Sequence, residues 1–69
     1  MVEVFKTNVQ KKTESRKLLG ILAERFPSCR INFDLSDQDK ILRVEGEDIT
    51  ASRVILLIQD HGFNCEILD

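Results

Sequence analysis

Two runs of apolar residues at helical spacing, Leu18, Leu19, Leu22 and Phe26, then Ala51, Val54, Ile55 and Ile58, share a short chain with four stretches of strand character. Placing residue 15 on residue 51 aligns SRKLLGIL with ASRVILLI, an offset of 36 positions in 69. Each half therefore reads strand, helix, strand. The first strand is VEVFKT, Val2 to Thr7, in which Val2 and Val4 compete with Phe5 for the buried face. Thr13 reads as the N-cap of the first helix, with Glu14 in its first turn, and Pro27 stops it. RINFDL alternates Ile31, Phe33 and Leu35 with Asn32 and Asp34, the mark of a strand with one wet face. SDQD is a turn near Asp37, and KILRVEG returns antiparallel with Leu42 and Val44 inward. The second helix starts near Thr50 and ends where Gly62 can turn left-handed, and FNCEIL closes the chain as a strand burying Phe63, Cys65 and Ile67. Two βαβ units interleave most simply as a ferredoxin-like α+β sandwich. The expected sheet is antiparallel, of order 4-1-3-2, with both helices on one face.

Length permits one domain and one economical core, since a chain of this size buries only roughly 60% of its unfolded surface. The 42% apolar and 32% charged residues describe an ordered chain. No apolar stretch has signal-peptide or membrane-span length, so no membrane partner and a cytoplasmic location are expected. Cys29 and Cys65 fit neither a disulfide scaffold nor a zinc spacing and read as free thiols. In the expected topology they lie about 14 Å apart across the sheet, beyond disulfide reach. Charge is asymmetric: residues 1 to 30 hold seven Lys and Arg against three Glu, and residues 31 to 69 hold three against nine Asp and Glu. The total of -2 argues against a general nucleic-acid binder, whose affinity needs many cations. The third strand also lacks the aromatics on which an RNA-recognition sheet stacks bases. Nothing forms a nucleophile with its base, a carboxylate pair in a cleft, or a metal cluster, so neither an enzyme nor a cofactor is expected.

The βαββαβ order over about 70 residues, with Ile55 and Ile58 leading into His61, Gly62 and Phe63, resembles the heavy-metal-associated domains of copper chaperones and metal-transporting ATPases. That resemblance implies a Met-x-Cys-x-x-Cys loop between the first strand and first helix, where two thiolates hold Cu(I). Here the two ligand positions fall on Lys11 and Glu14 or on Lys12 and Ser15, and the Met position on Val9 or Gln10. No register supplies a thiolate. The resemblance therefore implies the family's scaffold without its two-cysteine site.

At the same loop, Lys11, Lys12 and Arg16 surround the start of a helix, whose free N–H groups and partial positive charge favour an anion. They are the candidate site for a phosphate, a carboxylate or an acidic protein surface. The plain alternative is a solvated loop, neutralised by Asp37, Asp39 and Asp60 at the same end of the sandwich. His61 and Cys65 form the alternative candidate, an atypical copper or zinc site. Each also has a structural reading, His61 as a helix C-terminal residue and Cys65 as a small core hydrophobe. Gly20 and Leu56 sit at equivalent helix positions away from the core and mark a candidate seam for a partner or a second copy, consistent with a monomer or weak homodimer.

Overall fold

The computed structural model describes residues 1–68 and has the element order β1 (Val2–Thr7), α1 (Lys12–Arg25), β2 (Arg30–Asp34), β3 (Ile41–Glu45), α2 (Ala51–Asp60) and β4 (Cys65–Ile67). The strands form one antiparallel sheet in the order β2-β3-β1-β4, the expected 4-1-3-2 read from the other edge. Helix α1 packs over β2 and α2 over β4. The register places Phe33, Leu42 and Phe5 in one row across three strands, and Ile31 beside Val44 in the next. This is the face the helices cover.

The competition within β1 is resolved by that register. Phe5 and Thr7 point into the core, while Val2 lies on the open face, 44% exposed, with Val4 half-buried beside it. Facing Phe5 inward also buries Thr7, whose hydroxyl is satisfied by Lys40 and Val9, and still leaves Val4 half-covered, so little apolar burial is given up. Leu18 and Leu22 of α1 and Val54, Leu57 and Ile58 of α2 complete the core with Leu42, Val44 and Cys65. Leu57 was absent from the expected stripe. It borders Val54 and Ile58 on a helix whose apolar arc is wider than a single seam. Ile67 departs in the other direction: it faces the helix side opposite Phe5 but is 47% exposed, because β4 is a three-residue edge strand with little beyond it to provide cover.

Helix α1 begins one residue before the expected cap. Lys11, not Thr13, occupies the N-cap with extended backbone, and the Glu14 carboxylate accepts its N–H at 3.2 Å. That is half of a capping box, since a lysine side chain has no acceptor with which to reciprocate. The C-terminal end is as expected, with Phe26 at the C-cap just before Pro27. Gly62, at φ +88°, turns α2 into the approach to β4, and Phe63 N–H returns to the Ile58 carbonyl.

The upper loops are joined through Thr7. Its buried hydroxyl donates to the Lys40 carbonyl at 2.6 Å and accepts the Val9 N–H at 3.2 Å, while its N–H donates to the Asp39 carbonyl. Val9, which reads as loop in the sequence, is thereby held fully buried. At the other end, Gly46 lies against Cys29, and a Cβ built there would come within 2.7 Å of the Cys29 Sγ. Both thiols are free, as expected.

Candidate functional site

Three loops meet above the sheet: residues 8–11, residues 35–40 and residues 61–64. The sequence places all of its candidate polar groups at this end, and the structure separates them into different surroundings.

Lys12 and Arg16, one turn apart on α1, line a groove of about 390 Å³ between that helix and β2. Its floor is Leu19, Phe33 and Leu35, all half-buried, and its far wall carries Asp34 and Ser36. Lys12 and Arg16 are exposed and take part in no ion pair among the described residues. Asp34 is the groove's one acidic group, and it is already engaged. It accepts hydrogen bonds from the Ser36 hydroxyl and N–H, which hold its carboxyl below the usual value. The carboxylate stays ionised, and with two cations against it the groove carries a net positive charge.

Lys11 stands outside this groove. It sits at the helix end itself, where the Glu14 carboxylate already occupies the position an external anion would take. The basic candidate site is therefore lateral to the helix terminus, and its apolar floor is the part that sequence reasoning missed. The available signal was the incomplete burial to be expected of Phe33 on an edge strand and of Leu35 just beyond its end. Of the expected neutralising acids, Asp39 pairs with Lys6 at 3.9 Å, with both side chains substantially exposed, and neither Asp37 nor Asp60 joins an ion pair among the described residues.

His61 and Cys65 are not brought together. His61 is exposed in a cleft with Glu14, Lys17, Leu18 and Phe63, and its Nδ1–H donates to the Leu57 carbonyl at 2.8 Å, closing the C-terminus of α2. Cys65 is buried and borders a different cleft, with Lys6, Thr7, Asn8, Gln59, Asn64 and Glu66. Burial, with the Glu66 charge adding to it, pushes its thiol up to about 12. A thiol so reluctant to ionise is a poor source of the thiolate a soft metal needs. Among the described residues no group of three or more His, Cys, Asp or Glu side chains is placed to hold a metal ion.

Gly20 is exposed with open space where a Cβ would stand, and Leu56 is 58% exposed. Both lie away from the core, as the sequence implies. No helix among the described residues is long and apolar enough to cross a membrane. No protein-family model, curated protein or solved structure matches the chain.

Proposed function

We propose that this chain is a non-enzymatic binding module of the heavy-metal-associated type that works in the cytoplasm without the family's two-cysteine site. Its groove between α1 and β2 receives an acidic protein segment. The observation that carries this reading is the convergence of Lys12 and Arg16, exposed and without ion-pair partners among the described residues, over the half-buried Leu19, Phe33 and Leu35. Cations above an apolar floor suit a peptide carrying a carboxylate next to an aliphatic side chain. The charge draws it in, and apolar burial holds it. Lys11 extends the positive field at the rim.

Titration of the ¹⁵N-labelled chain with an acidic, leucine-containing peptide tests the reading. Amides of Lys12 to Leu19 and of Asn32 to Ser36 are expected to shift together, less so as salt rises, because exposed charges are screened over about 10 Å at 0.1 M. The double variant Lys12→Glu, Arg16→Glu should abolish the shifts and leave the fold intact, since both side chains are exposed. A flat titration of the unaltered chain refutes the docking function.

A further inference from the structure

The two edges of the sheet differ. β4 is three residues long, whereas β2 runs for five residues in unbroken one-to-one register with β3, with no bulge and no proline. Sheet edges are ordinarily blunted by such features or by covering segments, because an open row of N–H and C=O groups invites another strand. β2 lacks them. Its outer side offers alternate backbone groups in either phase of the antiparallel ladder.

Its sequence, Arg30-Ile31-Asn32-Phe33-Asp34, is also complementary to itself when read backwards. Turned about Asn32, an antiparallel copy sets Arg30 beside Asp34, Ile31 beside Phe33 and Asn32 beside Asn32. The charges oppose correctly at both ends. Arg30 and Asp34 share the open face of the sheet, while Ile31 and Phe33 share the helix side and are only half-buried. Arg30 takes part in no ion pair among the described residues, and Asp34 is bound only to Ser36. A parallel copy in the same register would put Arg30 on Arg30 and Asp34 on Asp34.

We infer that two copies of this chain pair through β2, antiparallel about a two-fold axis at Asn32, joining their sheets into one of eight strands. Ile31 and Phe33 of each copy then cover those of the other, removing apolar area that the single chain leaves half in water. The pairing covers Asn32, Phe33 and Asp34, which also line the groove proposed for the peptide, so a paired chain and a peptide-loaded chain are alternatives. The cations Lys12 and Arg16 belong to the helix layer and play no part in setting the register, so Lys12→Glu, Arg16→Glu should abolish peptide binding and leave the Arg30 to Asp34 pairing in place.

Sedimentation equilibrium of the 69-residue chain up to about 1 mM, with circular dichroism to verify folding, tests it. The unaltered chain should form a concentration-dependent dimer that weakens with salt. Arg30→Asp and Asp34→Arg each place like charges at both ends of the pairing and should weaken it about 10- to 100-fold. Mixing the two single variants restores opposite charges across a heterodimer, and the double variant Arg30→Asp, Asp34→Arg restores them across a homodimer. Both should recover association. If loss of the Ser36 contact unfolds Asp34→Arg, Arg30→Asp alone still decides, because the Arg30 side chain is exposed and makes no hydrogen bond or ion pair among the described residues. A strictly monomeric parent chain overturns the inference, and so does a dimer that Arg30→Asp leaves unweakened. A parent chain that binds an acidic peptide along β2 and never itself overturns it as well.

Discussion

Replacing Gly46 by Ala should change sign according to what stands at position 29. The added Cβ would meet the Cys29 Sγ at 2.7 Å, about 1 Å inside ordinary contact, while the Cys29 Cα and Cβ lie at 3.5 Å, where contact is normal. Only the sulfur obstructs. Forcing a methyl into such packing costs about 1–3 kcal/mol. Gly46 does not have a positive φ, so Ala also restricts the unfolded chain, which stabilises by about 0.4–1 kcal/mol. The net expectation for Gly46→Ala is a loss of about 1–2 kcal/mol, or roughly 4–16 °C in Tm for a domain of this size. In a Cys29→Ala background the obstruction is gone and only the entropic term remains, so the same substitution should raise stability by about 0.4–1 kcal/mol. The N–H of residue 46 keeps its bond to the Met1 carbonyl in every variant. Urea titrations of the four proteins close a double-mutant cycle, with an expected coupling of about 1–3 kcal/mol. Equal effects of Gly46→Ala in both backgrounds would refute the assignment of that glycine to the Cys29 contact.

Gly20→Ala should stabilise the chain by about 1 kcal/mol in thermal melts, since the position is exposed, helical and open around the missing Cβ. Gly62→Ala should destabilise it by about 1–2 kcal/mol because φ is +88° there, although space is equally open. Cys65 is protonated more tightly in the folded chain, at about 12 against an ordinary 9.0, so its contribution is intact below pH 9 and is lost as pH climbs from there toward 12. Residual solvent screening limits that loss to no more than about 1 kcal/mol per pH unit. Urea unfolding at pH 8 and pH 10 should therefore show a steeper decline for the parent chain than for Cys65→Ala. At pH 8 a thiol reagent should modify Cys29 well before Cys65; equal rates would contradict the burial difference.

The architecture was legible because period and punctuation agreed. Pro27, the Asp37 turn and Gly62 separated segments whose spacing could be read directly, and all six elements occur in the expected order, although β4 is confined to Cys65–Ile67 and leaves Phe63 in the loop before it. Cues one residue deep were less secure. Thr13 is a better intrinsic cap than Lys11, yet Val9 enters the core just upstream, and its burial draws the chain into the helix earlier. The candidate site was half legible. Lys12 and Arg16 are one turn apart in any helix, but their association with Phe33 and Leu35 depends on α1 lying over β2, which no local pattern encodes. The distance between His61 and Cys65 in their surroundings follows from the same kind of fact. Four positions apart in sequence, they are turned by Gly62 toward different clefts.

Thr7 ties the hairpin turn at Asp39 and Lys40 to Val9 through a single hydroxyl and a single amide. The acidic rear of the chain and its basic front are therefore clasped by a buried, uncharged link that salt does not loosen, unlike the exposed Lys6 to Asp39 pair beside it. Neither loop can swing away without leaving the hydroxyl or the Val9 amide unmatched, so the two should open as one cooperative unit, with matching hydrogen-exchange protection at Thr7 and Val9. A partner that engages Lys12 or Arg16 presses on a helix whose lead-in is anchored at Val9. The far end of the hairpin loop, Asp39 and Lys40, lies outside the groove and would be quietened along with it.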